Sequence, residues 1–285
     1  MPPDARGVYL QARDIRELAE SYEFSPHKSK GQNFVGDANT VRKIVHLSGV
    51  GEGDHVVEVG PGFGSLTLGL LDAGAVVTAI EIDPRLARAT TDVVAARLPG
   101  AQLDVLCADA LGVSTLPAPA DYLVANLPYN VAVPVVIHLL SLHPGFRRVL
   151  VMVQAEVGWR IAAKPDTTHY GSPSVKSAWW GDWSIESSIS RKVFWPEPRV
   201  DSVLVGMHAH PPVGDEATRR RVFRLIDAGF RTRRKMSRQA LAEQLGGVND
   251  ATLAIESAGL DPTSRCETWS LDNFVALDAW LESAS

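Results

Sequence analysis

A short apolar run, Val56-Val57-Glu58-Val59, leads straight into Gly60-Pro61-Gly62-Phe63-Gly64-Ser65 and then into Leu66-Thr67-Leu68-Gly69-Leu70-Leu71. Strand, glycine turn and helix in that order constrain this chain more than any other feature. Glycines permit positive φ and let a backbone approach a ligand closely. The helix that follows presents N–H groups without intrahelical partners at its start. The loop reads G-x-G-x-G and has Ser at position 65, so it misses the G-x-G-x-x-G fingerprint of dinucleotide sites.

The next strands end in groups of matching chemistry. Val76-Val77-Thr78-Ala79-Ile80 ends at Glu81-Ile82-Asp83, and Glu81 lies 21 positions beyond Gly60. A carboxylate at that distance is placed to accept from both hydroxyls of a ribose. Leu103-Asp104-Val105-Leu106-Cys107 ends at Ala108-Asp109-Ala110, where an acidic side chain can accept from an adenine amine. Tyr122-Leu123-Val124-Ala125 ends at Asn126-Leu127-Pro128-Tyr129. Ligands of doubly wound sheets sit outside the carboxyl ends of the strands, so all four pieces converge on one crevice. A methyl donor of the S-adenosylmethionine type has a ribose, an adenine, a carboxylate and a sulfonium, but no pyrophosphate. It has no need of the dinucleotide loop.

The Asn126-Leu127-Pro128-Tyr129 turn solves a particular problem. The exocyclic amine of adenine is a poor nucleophile because its lone pair is delocalised into the ring. The Asn126 side-chain oxygen and the Leu127 carbonyl can accept its two N–H bonds and aim the lone pair. Pro128 stiffens the turn, and Tyr129 offers a π-face for a base taken out of its stack. Asn-x-Pro also marks ordinary turns. The three ligand-shaped strand ends upstream of it favour the chemical reading.

These motifs together resemble those of the small-subunit ribosomal RNA adenine N6,N6-dimethyltransferases, the KsgA/RsmA type. The resemblance begins near Lys28 and rests on Gly31-Gln32-Asn33-Phe34-Val35, Glu58-Val59-Gly60-Pro61-Gly62, Glu81-Ile82-Asp83, Ala108-Asp109-Ala110 and Asn126-Leu127-Pro128-Tyr129-Asn130. Met152-Val153-Gln154-Ala155-Glu156-Val157, the stretch from Phe194-Trp195-Pro196-Glu197 to Ser202, and Arg233-Arg234-Lys235 complete it. It implies a Rossmann-like methyltransferase domain over residues 1–209, an α/β fold on a mostly parallel seven-stranded sheet. A small all-α RNA-binding domain over residues 210–285 follows. It implies S-adenosyl-L-methionine as cofactor, contacted by Asn33, Val35, Gly60, Gly62, Glu81, Asp109 and Asn126. It implies a substrate of two adjacent adenosines near the 3′ end of 16S rRNA, within a small-subunit precursor. Four methyl groups would pass in all, by direct displacement, from the cofactor to the two adenosines, and the enzyme would be monomeric and cytoplasmic. Macrolide-resistance methylases of large-subunit rRNA share the architecture, and an assembly factor that recognises immature small subunits is a further reading. A dehydrogenase is disfavoured by the loop, and a DNA adenine methylase stands further off. The resemblance also makes Phe194 the second stacking face opposite Tyr129, while Trp195 reads equally as pocket wall or as packing. Tyr170-Gly171-Ser172-Pro173-Ser174-Val175 departs from the family's Tyr-Gly-Arg-Leu-Ser-Val and loses one Arg.

The formal net charge is −5, so RNA cannot be held by a broad positive field and must meet local basic clusters. Lys28 and Lys30 form one, Arg191-Lys192 another. The densest runs from Arg231 through Arg233, Arg234 and Lys235 to Arg238, read as lying on one helix. A charge run is ordinarily a solvated helix face, but five basic residues within eight positions exceed what solvation requires. Cys107, in an expected buried strand, and Cys266 form no C-x-x-C pair and read as inert reduced thiols. The histidines show no metal spacing, and no apolar run reaches the length of a membrane span. No metal and no membrane are expected. Helices are expected over residues 12–22, 37–49 and 154–163, strands over 187–194 and 202–208, and C-terminal helices over 216–231, 235–245, 249–259 and 271–283.

Overall fold

The computed structural model describes residues 7–26, 31–116, 119–128 and 131–284. Contacts divide the chain into two compact units. Residues 1–158 and 184–209 form the first, and residues 159–183 and 210–285 the second.

The first unit is the α/β fold that the alternating pattern predicts. Its strands are β1 (Phe34–Val35), β2 (His55–Val59), β3 (Val76–Glu81), β4 (Leu103–Cys107), β5 (Tyr122–Asn126), β6 (Arg148–Gln154), β7 (Gly181–Ile189), β8 (Phe194–Trp195) and β9 (Ser202–Ala209). Seven of them make one sheet in the order β4-β3-β2-β5-β6-β9-β7, while β1 pairs with β8 separately. From β4 to β6 all pairs are parallel, and β9 returns antiparallel to β6. Val57, Val77, Leu123, Val124, Val149 and Val151 are fully buried in the central strands. Parallel strands covered on both faces read as continuous apolar runs for this reason.

Helices α1 (Ala12–Ser21), α2 (Ala38–Ser48), α3 (Ser65–Asp72), α4 (Pro84–Arg97) and α5 (Ala132–Leu142) join these strands, and α6 (Ala155–Ala162) follows β6. Their ends follow local chemistry. The Asp37 side chain accepts from Thr40 N–H at 2.7 Å to start α2, and Gly49 ends it at φ 74°; both are standard caps. Asp83 caps α4, with Pro84 at its first turn, where a missing N–H costs nothing.

The second unit holds α7 (Ser172–Ser177), α8 (Glu216–Arg231), α9 (Ser237–Ala240), α10 (Val248–Ser257) and α11 (Leu271–Ser283). Its core is aromatic. Trp179 and Trp180 meet the Phe223 ring edge-on at 6.1 and 5.7 Å, and Trp269 meets Phe274 at 5.3 Å. Trp183 is buried, with its indole N–H donating to Ser177 O at 2.9 Å. The tryptophan-rich stretch 179–183 is therefore packing. A partly buried ion pair, Arg221 with the buried Asp278 at 3.0 Å, ties α8 to α11.

Three expectations need correction. Cys107 is exposed, because β4 is an edge strand of the sheet. The strand expected over 187–194 begins at Gly181 and stops at Ile189; Ser190 then caps a 3₁₀ turn, Arg191–Val193. The helix expected over 235–245 shrinks to α9, and Arg233, Arg234 and Lys235 lie in the turn before it. Two anchors hold that turn open. Arg233 donates to the Tyr170 carbonyl at 2.7 Å, and the buried Ser237 donates its N–H to Ser264 O at 2.7 Å.

Candidate functional site

The strand ends of the first unit open on one cavity of about 290 Å³. Its lining includes Asn33, Val35, Gly60, Gly62, Glu81, Asp109, Asn126 and Pro128, so residues separated by almost a hundred positions meet at one place.

The glycine loop forms the floor. Gly62 has φ +62°, and a Cβ there would stand 2.6 Å from the Phe34 ring. That ring also packs on Phe63 at 4.8 Å and on Phe24 at 5.9 Å. Only glycine satisfies both the backbone conformation and the closeness of the ring. Phe34 thereby fastens the segment 31–36 over the loop. The same segment is held by β1–β8 pairing, Phe34 with Trp195 and Val35 with Phe194, and by Gly36 N–H donating to Val193 O at 2.8 Å.

Two carboxyls stand at the edge of the loop. Glu81 is 5% exposed, and each of its oxygens accepts one backbone N–H, from Gly62 at 3.2 Å and from Asp83 at 3.0 Å. Each oxygen keeps a lone pair for a further donor. Burial pushes the Glu81 pKa upward, against these two bonds. Glu58 is more deeply buried, accepts the Thr67 hydroxyl at 2.6 Å, and is pushed up to about 8 by burial. Asp109 is exposed and accepts Leu111 N–H at 3.0 Å.

At the carboxyl end of β5 the Asn126 amide nitrogen donates to the Asn33 carbonyl at 2.9 Å. An oxygen in that place would face another oxygen, so the bond fixes which way the amide points. Oδ1 is left to accept, and among the described residues no donor meets it. Leu127 is buried, with its N–H on Met152 O at 3.0 Å, which sets the backbone from which its carbonyl was expected to act.

Not every expected residue joins the cavity. Phe194 is 5% exposed and belongs to the apolar core. Its strand supports Val35, and its ring is outside the cavity lining. Trp195 is half-buried beside it. Tyr129, Lys28 and Lys30 lie outside the described residues. Arg233, Arg234, Lys235 and Arg238 are in the second unit. Of these, Arg233 is engaged with Tyr170 O and, at 3.6 Å, with Glu267, whereas Arg234 and Lys235 are exposed.

The sequence reading missed Ser65, Ile82 and Leu111, which also line the cavity. Ile82 is 65% exposed and Leu111 40%. Ile82 directly follows the acidic strand end Glu81, and Leu111 stands two residues beyond Asp109, a signal visible in the sequence. Exposed apolar side chains beside carboxylates suit a flat heterocycle that needs both a face and an edge contact. The set fits a nucleoside with an amino-acid tail: carboxyl acceptors for hydroxyls and amine, apolar walls, and a buried hydroxyl, Ser65 Oγ, without a hydrogen-bond partner among the described residues. Among the described residues no group of three or more His, Cys, Asp or Glu could hold a metal ion, and no helix is long and apolar enough to cross a membrane.

Comparison with known proteins agrees with this geometry. Residues 23–282 match the family described as ribosomal RNA adenine dimethylase. The chain is 54% identical over 274 residues to the ribosomal RNA small subunit methyltransferase A of Leifsonia xyli subsp. xyli, covering 95% of this chain and 98% of that one. It is 50% identical over 277 residues to the protein of the same description from Thermobifida fusca, with 96% of each chain covered. Among solved structures, a dimethyladenosine transferase from Plasmodium falciparum superposes with a TM-score of 0.71 at 22% identity, over 85% of this chain and 94% of the other.

Proposed function

The chain belongs to the ribosomal RNA adenine dimethylase family, and from that premise we propose that it dimethylates the N6 amines of two adjacent adenosines near the 3′ end of small-subunit rRNA. The substrate is a small-subunit precursor particle, and the compartment is the cytoplasm. The observation that carries this reading is the commitment of the Asn126 amide to Asn33 O. It leaves an oriented oxygen acceptor at the mouth of a cavity shaped for a nucleoside.

Bound S-adenosylmethionine supplies the methyl group. The protein supplies position. Glu81 accepts from the ribose hydroxyls, Asp109 from the cofactor's adenine, and the loop at Gly60 and Gly62 lets the backbone approach closely. Asn33 and Val35 cover the site from the segment that Phe34 fastens. Asn126 Oδ1 and the Leu127 carbonyl accept the two N–H bonds of the target amine, and Pro128 keeps the turn stiff. Such alignment accelerates a displacement without a covalent enzyme intermediate. In the second unit, Arg234, Lys235 and Arg238 meet phosphates of the rRNA, contacts that set register and carry no sequence information.

The test offers labelled methyl donor with small-subunit particles, large-subunit particles, free rRNA and DNA in parallel. Label should enter small-subunit particles, as dimethyladenosine. Label in large-subunit RNA would favour the macrolide-resistance type of activity instead, and label in DNA would reject an rRNA substrate.

A further inference from the structure

We propose that Trp159, steadied by His169, is a stacking platform for one unpaired base of the rRNA. The inference rests on the rRNA reading above and concerns residues that reading does not use. Trp159 is 45% exposed, and among the described residues it is the one exposed Phe, Tyr or Trp. The other tryptophans are buried or half-buried. It is not part of the cavity, whose lining belongs to the first unit.

A lone exposed apolar side chain needs no explanation, but this one is held in place from two sides. Trp159 lies on α6, whose last turn is fastened to α7. There the Arg160 carbonyl accepts the Ser174 hydroxyl, and the Ile161 carbonyl accepts the Ser177 hydroxyl at 3.4 Å. His169 stands in the loop between these helices, which is anchored in turn. Asp166 N–H donates to Glu267 O at 3.1 Å, Tyr170 N–H to Thr167 O at 3.1 Å, and the Tyr170 hydroxyl to Trp269 O at 2.7 Å. The Trp159 and His169 rings meet at 5.4 Å with 44° between their planes. The imidazole covers part of the indole and leaves the rest open. A ring already fixed loses little freedom when a ligand settles on it.

The surroundings say which ligand suits the ring. The Tyr170 carbonyl, one residue beyond His169, accepts from Arg233 at 2.7 Å, which joins the platform to the basic turn. Glu267, which anchors the loop, is itself paired with Arg233 and Arg265. An aromatic face beside cations is how single strands are held, with a base on the ring and phosphates on the cations. A protein partner would call for an apolar surround that shuts out water. The exposed residues that follow Trp159 on α6 and the loop include Arg160, Lys164, Thr167 and Thr168, and these are charged or polar. Bases inside a duplex have no free face, so the platform selects an unpaired one.

The experiment measures binding of three probes over a salt series, with the full chain, Trp159→Ala, Trp159→Phe and the unaltered protein. The probes are a single-stranded oligoadenylate of about 12 nucleotides, its duplex with oligouridylate, and small-subunit particles. Trp159→Ala should weaken the single strand and the particles by roughly 10-fold each, the scale of one base stacked on an aromatic ring. The salt slope should stay unchanged, because no phosphate contact is lost. Affinity for the duplex should not move, and Trp159→Phe, which keeps a ring, should retain most of the binding. An unchanged affinity for the single strand would overturn the proposal. So would an equal loss for single strand and duplex, which would make Trp159 a support of the fold. A loss confined to the particles would mean that the ring meets a protein of the particle, and would overturn it too. Methyl transfer to small-subunit particles by the unaltered protein tests the underlying reading on its own, and its absence would overturn that reading instead.

Discussion

The cavity of the first unit and the basic turn of the second use polar groups in opposite ways. In the cavity, side chains are fixed before any ligand arrives. Glu81 already holds two backbone N–H groups, and Asn126 gives one of its two amide N–H bonds to Asn33. Glu81 keeps lone pairs and Asn126 keeps its Oδ1 for a ligand. In the turn, Arg233 is bound to Tyr170 O while its neighbours Arg234 and Lys235 stand in solvent. Fixed dipoles in a small cavity can place a reacting atom to within a fraction of an ångström. Solvated cations can only attract a polyanion, and salt weakens them. The comparison separates geometry, which should govern rate and donor affinity, from charge, which should govern attachment of RNA.

The largest effect should come from the cavity's oriented amide. Asn126→Ala should lower the methyl-transfer rate by ~10²-fold or more, the scale of misplacement at a reacting centre. Donor affinity should fall far less, because the ribose and adenine acceptors remain. Turnover close to that of the unaltered protein would break the geometric side of the comparison.

Next in size is Glu81→Ala. Loss of a charged acceptor for the ribose should cost about 1.5–3 kcal/mol of donor affinity. The variant also frees Gly62 N–H, so the loop itself should loosen; the structure ties loop and carboxylate together where the sequence shows them 19 positions apart. A pH series sharpens the point. Burial raises the Glu81 pKa, so the ionised acceptor forms only above the usual carboxylate range. S-adenosylhomocysteine affinity should therefore increase as pH rises through that shifted pKa, and Glu81→Ala should abolish the increase. A pH-independent affinity in the unaltered protein would place the ribose elsewhere.

How much of this was legible in the sequence follows from the same distinction. Strand ends announce themselves, because apolar runs stop at glycine, acid or Asn, and the doubly wound topology brings those stops together. Asp37, Gly49 and Pro84 mark helix ends by local chemistry alone. What stayed hidden depends on partners distant in sequence. Nothing near Phe34 says that its ring will cover Gly62. Cys107 looks buried until β4 is known to be an edge strand. Phe194 sits in a motif that suggests a stacking face, yet its ring is core. The stretch 233–238 has the composition of a helix, and helix periodicity puts Arg234 and Arg238 on one face. Tertiary bonds at Arg233 and Ser237 override that local preference, as they commonly override propensity.

The smallest predicted effect uses that correction. Since the turn is not helical, the relevant cations are not those sharing a helix face but those left in solvent. Among the described residues no ion pair engages Arg234 or Lys235. Replacing both with Ala should weaken binding to small-subunit particles and flatten its salt dependence, by a slope of roughly two units if each meets one phosphate. Stability and donor affinity should be unchanged. Arg233→Ala should do the reverse. Its guanidinium is half-exposed but bonded to the Tyr170 carbonyl and close to Glu267, so its loss should cost about 0.5–1.5 kcal/mol of stability and leave most of the salt slope in place. If Arg233→Ala flattens the slope as much as the double variant does, the cation anchored in the fold is also the one that meets RNA, and the division between fixed and solvated charge fails. If the double variant leaves the slope intact, these residues are a solvated surface, and RNA is held elsewhere.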